Sequence, residues 1–263
     1  QASDVWQGLA ELGLQGTAIP EAYGGVGAGY LPLCLVAQEL GGVLAAVPFS
    51  SSVYLATEAI TCFGSTEQKE RYLPKLASGE WVGTLALSEG PLAPSPTNLT
   101  VARSGDTVSG KKLVVPHGLA ADFAVVLVTS DAGTDLVLAG LEAVERSAVE
   151  IVDPSIAAAT IDFAQTPCES LGEPGDGWTM LETLQHRAAV LYAFEQIGGA
   201  EQALNMAVAY AKERFAFGRP IGSFQALKHM MADMYVALKL AESNAYYAAW
   251  ALQNDAPDLH LAA

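Results

Sequence analysis

A pair of long helical stretches joined by a short turn is the sequence feature that most restricts how this chain can fold. The first stretch is predicted over 180–215, and it ends where Gly218 and Pro220 follow, a pattern typical of a helix end. The second is predicted from Phe224 to about Gln253, with Ser223 as its N-cap. Helices of about 30 residues expose more apolar surface than one small core can cover. We therefore expect them to pack in a bundle or against another subunit.

The chain before these helices divides into a helical part and a β part. About 80 residues at the start predict helices over 31–46 and 52–63, and then a helix with a capping signal at Ser65 that Pro74 should kink or end. Short runs rich in Val, Leu and Thr then alternate with Gly, Asp, Ser and Pro, which is typical of a compact antiparallel β domain. The predicted strands are 81–87, 99–103, 112–115, 123–129, 134–138, 149–152 and 159–163.

These patterns predict an α+β protein of three domains. We expect an N-terminal helical domain over residues 1–83, a middle antiparallel β domain over 84–175 and a C-terminal helical bundle over 176–263. The Gly-rich run from Gly172 to Gly177 is the clearest linker, and it precedes the bundle. Residues 258–263 look like the start of a further helix without a stop signal, so we expect the bundle to be incomplete within this sequence.

Apolar content and cysteine spacing predict a cytoplasmic protein. No stretch approaches the roughly 20 uninterrupted apolar residues that a membrane helix needs. The first residues lack the basic start and the apolar run of a signal peptide. Cys34, Cys62 and Cys168 lie far apart and match no metal or redox spacing, so we expect no metal site and three free, mostly buried thiols. Free thiols suit a reducing cytosol.

The charge of the chain is strongly negative, but it is unevenly distributed. A net charge of −16 argues against nucleic acid or an anionic membrane as a partner. Between Arg187 and Lys239, however, six of the thirteen basic residues face only four acids, so this segment carries +2 and the remainder −18. This segment is the best candidate for binding a phosphate, and the alternative is a solvated helix face.

One segment between the long helices carries a family signature. The run R-F-A-F-G-R-P-I-G-S-F-Q from Arg214 to Gln225 resembles the R-x-x-F-G-x-x-I-x-x-x-Q signature of the acyl-CoA dehydrogenase family. Further segments that resemble the family are Ile19–Gly25, Tyr72–Glu80 and Gly198–Ala200. Together these segments span nearly the whole chain in the family's order.

The resemblance implies both a fold and a reaction. The family fold is an N-terminal helical domain, a middle β domain and a C-terminal four-helix bundle, with FAD at a subunit interface. In the family a carboxylate removes the α-proton of an acyl-CoA thioester while the β-hydride passes to flavin N5. An electron-transfer flavoprotein then reoxidises the flavin. The resemblance therefore implies an acyl-CoA substrate, FAD, an electron-transfer flavoprotein and an oligomer.

The signature also predicts cofactor-binding residues. Arg214 can present a planar fork of donors to a pyrophosphate, and Gln225 falls in the first helical turn, where free N–H groups favour an anion. The side chains of Phe217 and Phe224 are expected to form an apolar wall of this cofactor site. The alternative is that Arg214 only complements a helix C-terminus and Gly218 only caps it. The expected cofactor-binding residues are Arg214, Phe217, Gly218, Gln225 and Ser88.

The sequence departs from the family where flavin-facing groups are expected in the β domain. Of the family's T-E-P-x-A-G-S-D stretch, only the first two positions are matched, by Ser88 and Glu89. Where the family has W-I-T-N, this chain has V-V-P-H from Val114 to His117. Pro116 supplies neither the hydroxyl nor a backbone donor, and each lost hydrogen bond is worth about 1 kcal/mol.

The catalytic base is not identifiable from the sequence. One branch of the family places a Glu before an Arg in the long helix, where this chain has His186 and Arg187. The other branch places it late in the final bundle, beyond Ala263. His186 is either a base or an ordinary surface residue, and Glu195 is expected to be a buried structural carboxylate. His229 and Asp233 are expected to form a helix-surface pair.

One hypothesis covers these departures: an α2β2 enzyme in which this chain contributes Arg214 and Gln225 to a flavin held mainly by a partner chain. Some family members that act on bulky substrates, including steroid-derived acyl-CoAs, are similar assemblies. A homo-oligomer remains an alternative. So do a related flavin enzyme that oxidises nitroalkanes or hydroxylates aromatics, and a non-catalytic scaffold subunit.

Overall fold

The N-terminal part of the chain is helical in the structure, a computed structural model that describes residues 2–263. This confirms the predicted helical region, although the first residue of the predicted domain lies outside the described residues. The helices are α1 (Ala2–Glu11), α2 (Tyr30–Gly42), a π-helix (Ser50–Thr57) that continues as α3 (Glu58–Phe63), and α4 (Thr66–Ala77). Short 3-10 turns cover Leu14–Gly16 and Glu21–Tyr23.

Helix α4 begins with the predicted capping box. The Ser65 hydroxyl accepts the Gln68 N–H at 3.2 Å, and the Gln68 side-chain oxygen accepts the Ser65 N–H at 3.0 Å. Pro74 does not end this helix, contrary to one of the two predicted outcomes. The helix runs to Ala77, and the Ser78 N–H still donates to the Pro74 carbonyl at 3.1 Å.

A seven-stranded sheet follows the helices. Its strands are β1 (Gly83–Ala86), β2 (Ala102–Ser104), β3 (Thr107–Pro116), β4 (Phe123–Ser130), β5 (Gly133–Gly140), β6 (Glu145–Val149) and β7 (Ala158–Leu171). The pairing order is β1-β4-β2-β3-β7-β5, with β6 on β7, and a further pairing of β4 with β5 closes the sheet. The predicted antiparallel arrangement holds only in part, because β1 and β2 pair with β4 in parallel.

Strand β4 is buried on both faces, which explains its unbroken apolar sequence. Val125 and Leu127 join a core that includes residues of α3 and α4. Val126 and Val128 point the other way, into a second core built from strand residues. The alternation of faces along the strand thus connects two hydrophobic cores.

The start of the first long helix is fixed by β5. Helix α5 covers Gly177–Glu213. The Trp178 N–H donates to the Thr134 hydroxyl at 3.0 Å, and the Gly175 N–H donates to Asp135 Oδ1 at 2.7 Å. The first bond satisfies a donor that the N-terminus of α5 leaves open, and the second holds the residue two positions before the helix. The Gly-rich linker is therefore held against the sheet.

The second long helix begins one residue later than predicted and without the predicted cap. Helix α6 covers Gln225–Gln253, and a short α7 covers Leu259–Ala262. Phe224 takes the N-cap position, and no side chain caps the helix. Ser223 is not the cap, because it lies in a 3-10 turn, where its hydroxyl is buried without a partner among the described residues.

The contact pattern divides the chain into two compact units. The first comprises residues 1–29 and 46–188, and the second comprises 30–45 and 189–263, so the division falls within α5. In the second unit α2 packs on α5 backbone to backbone. A Cβ on Gly41 would lie 1.9 Å from the Glu195 carbonyl oxygen, and a Cβ on Gly198 would lie 1.8 Å from the Gln38 carbonyl oxygen. The division into three domains stays a prediction.

Candidate functional site

A short β-hairpin with a two-residue loop connects the two long helices. Its strands, β8 (Phe215–Ala216) and β9 (Arg219–Pro220), pair so that Ala216 faces Arg219. The turn residues Phe217 and Gly218 both have positive φ, 54° and 75°. This is the type I′ pattern, whose twist suits a short hairpin. Gly218 therefore serves the hairpin turn and does not cap α5, which ends at Glu213.

Aromatic rings and one guanidinium stack on this hairpin. The rings of Phe217 and Phe224 meet edge to face with centroids 6.2 Å apart. The Arg219 guanidinium lies over the Phe224 ring, 4.1 Å from its centroid. Phe217 is 94% exposed, so most of this aromatic surface is open. The stacking of Arg219 on Phe224 was not predicted from the sequence. A cation separated from an aromatic residue by a short turn is the pattern that could have indicated it.

The Arg214 guanidinium is exposed and has no hydrogen-bond or ion-pair partner within residues 2–263. The backbone of Arg214 is well fixed, since its N–H donates to the Tyr210 carbonyl and its carbonyl accepts the Ile221 N–H, both at 2.8 Å. The carbonyls of the last turn of α5 do not engage the guanidinium. The guanidinium is therefore open to solvent on a backbone that is fixed at both ends.

The N-terminus of α6 adds free donors to the same hairpin. The first intrahelical bond runs from the Lys228 N–H to the Phe224 carbonyl, so the amides of residues 225–227 precede the hydrogen-bond ladder. Gln225 is the first residue of this helix, and it is exposed. Free N–H groups at a helix start favour an anion.

Two cations of the basic segment from Arg187 to Lys239 are paired with acids, so the candidates for phosphate binding are the cations around this hairpin. Arg187 is buried and bonded to the buried Glu58, and Lys239 donates to Glu242 at 2.6 Å. The remaining cations are Lys212, Arg214, Arg219 and Lys228, with Glu213 as the single acid between them. The span 212–228 therefore has a net charge of +3, compared with +2 for the wider segment. It is the better candidate for binding a phosphate.

The groups expected near a flavin ring in the β domain lie in the first unit. Ser88 is half-buried, and its carbonyl accepts the Leu113 N–H at 2.7 Å. Val114 has a φ of 52° and is exposed, and the Pro116 carbonyl accepts the Thr84 hydroxyl at 2.6 Å. These contacts hold the V-V-P-H segment in place without giving it a side-chain donor at Val114 or Pro116.

His117 is buried with a φ of 53°, and its Nδ1 lies 3.0 Å from the Ser51 hydroxyl oxygen. Burial lowers the pKa of this imidazole, because the charged form is poorly solvated there. The side chain is thus kept neutral and tied to the π-helix.

The other candidate residues are not brought together. His186 is exposed on α5, and both it and Glu195 make interactions within the protein. Glu195 is half-buried further along the same helix, not buried as was predicted. His229 and Asp233 are both exposed on α6, but they form no ion pair in the part of the chain that the structure describes, contrary to the prediction. No catalytic base is assigned from this geometry.

An apolar groove of about 850 Å³ lies between α5 and α6 in the second unit. Its walls follow a heptad spacing on each helix. The rows are Ala193, Ile197, Ala200, Leu204 and Ala207 on α5, and Met234, Leu238, Ala241, Ala245 and Ala248 on α6. No charged side chain of residues 2–263 lines it, so it suits helix packing and not a phosphate. No helix in residues 2–263 has the length and apolarity to cross a bilayer.

The fold and the hairpin together define a helical–β–helical protein with an exposed guanidinium and a helix N-terminus beside the hairpin that joins its two longest helices. The comparisons with known proteins give the family. The model of the acyl-CoA dehydrogenase N-terminal domain matches residues 1–80, and that of the C-terminal domain matches residues 175–263. An acyl-CoA dehydrogenase of Bacillus subtilis is 32% identical over 92% of this chain and 68% of its own length. The chain belongs to the acyl-CoA dehydrogenase family, whose members are flavin-dependent oxidoreductases.

Two similar solved structures are assemblies by name. A variant of the Tcur3481–Tcur3483 steroid ACAD is 32% identical, with a TM-score of 0.86 over 98% of this chain and 72% of that chain. The ChsE4–ChsE5 complex of Mycobacterium tuberculosis is 28% identical, with a TM-score of 0.86 over 98% and 71%. This chain spans 62 to 70% of the length of curated relatives such as the Bacillus subtilis protein.

Proposed function

We propose that this chain is a subunit of an FAD-dependent enzyme that introduces the α,β-double bond of an acyl-CoA thioester. Arg214 and Gln225 would bind the diphosphate of FAD at a subunit interface, with Phe217 and Gly218 forming the adjacent wall. The observation that carries the proposal is the exposed Arg214 guanidinium, which has no partner within residues 2–263, beside the uncapped start of α6.

The residues of this chain fit the diphosphate of FAD better than they fit its flavin ring. The hairpin offers a guanidinium, free helix amides and a local charge of +3, which together suit a diphosphate. FAD supplies the hydride acceptor when bound. The β-domain surface offers Ser88, but Val114 and Pro116 lack the stacking ring and the hydroxyl expected there. This contrast supports a site divided between two polypeptides.

We infer that the assembly is heteromeric, with α2β2 favoured over a homo-oligomer. The absence of the stacking ring and the hydroxyl at Val114 and Pro116 supports this. So do the two similar structures whose names join two different chains. An electron-transfer flavoprotein would reoxidise the flavin. Cys34, Cys62 and Cys168 form no disulfide within residues 2–263, which supports a cytoplasmic location. A second candidate is a scaffold subunit without a role in cofactor binding, and the same absence favours it.

The role of this chain in proton abstraction is open to one direct test. His186 occupies the position where one branch of the family has a Glu, and it is exposed on α5. A His186→Gln variant of the assembled enzyme that retains its turnover excludes His186 as the base. Loss of turnover with retained flavin and acyl-CoA binding assigns it that role.

Expression of the chain alone and together with its partner tests the divided site. The partner is best sought among the products of neighbouring genes. We expect the chain alone to purify with little flavin absorbance, and the co-expressed complex to carry FAD. Stoichiometric FAD and activity in the isolated chain would contradict the divided site and leave the family membership intact.

A reverse experiment in the isolated chain tests the same point. Val114→Trp combined with Pro116→Thr restores the ring and the hydroxyl that the family signature has at these positions. We expect this double variant to take up more flavin than the unmodified chain. Val152→Trp, at a fully exposed position, adds a ring elsewhere and serves as the control.

A further inference from the structure

Helix α6 carries a second apolar row, nearly opposite the row that lines the groove. It consists of Val236, Leu240, Tyr247 and Trp250, each between 51% and 63% exposed within residues 2–263, with the exposed Ser243 at its middle. The steps between these five residues alternate between four and three, which is the spacing of a coiled-coil seam. We call this row the α6 seam. Its spacing is typical of a face that packs against another helix.

The C-terminal end of the α6 seam is large and held in place. The rings of Tyr247 and Trp250 stack with their centroids 5.8 Å apart and their planes at 22°. The Tyr247 hydroxyl also donates to Asp258 Oδ2 at 2.7 Å. Aromatic side chains that are already fixed lose little freedom on binding, and Trp and Tyr often dominate the binding energy of interfaces. The N-terminal end is formed by the smaller side chains of Val236 and Leu240.

The difference in size between the two ends makes the α6 seam complementary to a second copy of itself. When two α6 helices cross antiparallel about a two-fold axis at Ser243, Val236 of one copy lies opposite Trp250 of the other. Leu240 then lies close to Tyr247. Large side chains therefore face small ones along the whole seam, which is what close packing needs. A parallel pair would instead oppose Trp250 to Trp250 and leave a gap between the valines.

The distribution of charge also favours the antiparallel pair. None of the five seam residues is charged, and the nearby Lys239 donates to Glu242 at 2.6 Å. Asp233 lies one turn before the seam, ten residues from Ser243, so an antiparallel pair separates its two copies by about 30 Å. A parallel pair would place the two carboxylates side by side, where they repel each other. A single polar residue such as Ser243 within an apolar seam also helps to fix the register.

We propose that the α6 seam is a two-fold contact between two copies of this chain, with their α6 helices antiparallel about Ser243. This rests on the proposed α2β2 assembly. In that assembly the hairpin joins unlike chains, so a further contact has to relate the two unlike pairs by a two-fold axis. Such a contact uses the same patch on both sides and must be self-complementary, as the α6 seam is.

The mass of the co-expressed complex tests this contact. Val236→Glu combined with Leu240→Glu places carboxylates against the aromatic end of the other copy, where they are poorly solvated. We expect the mass, measured by light scattering during size-exclusion chromatography, to fall by half, from α2β2 to a single unlike pair. The FAD content per pair should not change. Val152→Glu, at a fully exposed position in the first unit, is the control and should keep the full mass.

Thiol cross-linking in the same complex identifies what lies on the α6 seam. Ser243→Cys puts a thiol beside its own copy at the two-fold axis, so we expect a short bismaleimide to yield a covalent dimer of this chain. Asp233→Cys is the matched control, since it is exposed on the same helix but far from the axis, and it should yield little dimer. The unmodified chain, with its three native cysteines, gives the baseline.

The two-fold contact is overturned when the unmodified complex is a single unlike pair, or when the double variant keeps its full mass or loses the unlike chain. It is also overturned when Ser243→Cys does not cross-link to its own copy, or when Asp233→Cys cross-links equally well. These outcomes leave FAD binding by the hairpin intact. An unmodified complex without FAD contradicts the proposed function instead, while its mass and its cross-links still report on the α6 seam.

Discussion

The Ile221 N–H donates to the Arg214 carbonyl oxygen at 2.8 Å, and this bond closes the hairpin between the two long helices. It fixes the backbone of Arg214 from the side of α6, while the bond to Tyr210 fixes it from the side of α5. Binding of an anion by the guanidinium then costs side-chain freedom but little backbone freedom, which favours affinity.

Gly218 should be sensitive to any side chain. Its φ of 75° lies in the left-handed region, where an L-residue costs about 1 kcal/mol. We expect Gly218→Ala to lower the free energy of unfolding by about this amount and to weaken FAD binding in the complex. Denaturant titration and flavin retention measure the two effects. Gly140→Ala, where a Cβ meets nothing within 4 Å, should change neither.

Gly198 should be sensitive for a different reason, namely close helix packing. A Cβ there would lie 1.8 Å from the Gln38 carbonyl oxygen, so Gly198→Ala must push α2 and α5 apart. We expect a loss of about 1–3 kcal/mol in the free energy of unfolding. The neighbouring Gly199→Ala, whose Cβ would lie 3.5 Å from the nearest atom, is the control and should be tolerated. Equal stability of the two variants would contradict this packing.

The start of α5 should depend on Thr134. Its hydroxyl accepts the Trp178 N–H at 3.0 Å, which is a capping bond supplied from β5. We expect Thr134→Val to lower the free energy of unfolding by about 1 kcal/mol, the typical value for a lost cap. Thr129→Val, which loses only an exposed bond of 3.4 Å, should have a smaller effect. The reverse order of the two variants would show that Thr134 does not cap the helix.

His117 should make stability depend on pH. Burial lowers its pKa in the folded protein, so the unfolded chain binds a proton at a higher pH than the folded chain does. Stability is therefore expected to fall as the pH drops below about 6.5, the ordinary pKa of histidine. Asparagine tolerates the positive φ of this position, so His117→Asn should remove part of this dependence. Urea titrations of both proteins at neutral and mildly acidic pH measure it, and equal slopes would contradict the assignment.

The order of helices and strands and the extent of the long helices followed from the sequence, because these depend on local periodicity. Helix α5 covers Gly177–Glu213 where 180–215 was predicted, and α6 covers Gln225–Gln253. The parallel pairing of β1 with β4 did not follow, because it joins Gly83 to Phe123 across two intervening strands. Pairing over such distances depends on the whole sheet and not on local pattern.

The predicted cofactor-binding residues that are close in sequence are also close in the structure. Arg214, Phe217, Gly218 and Gln225 lie in or beside one hairpin, and their role in cofactor binding stays a prediction. The hairpin itself was missed, because a Gly followed by a Pro is also how a helix ends. The burial of Lys112 was missed as well, although this residue alternates with Val108 and Gly110 along β3 and so occupied a predictable inward position.

The FAD content of the assembled complex with Arg214→Ala tests the central claim most directly. We expect this variant to assemble normally in size-exclusion chromatography and to bind FAD about tenfold to a hundredfold more weakly, the loss of a charge-assisted contact. Lys111→Ala, which removes an exposed cation of β3 that pairs with Asp162 at 2.9 Å, should retain nearly all of the flavin. Full flavin content in the Arg214→Ala complex, or intact flavin together with failed assembly, would contradict the cofactor role and favour a scaffold.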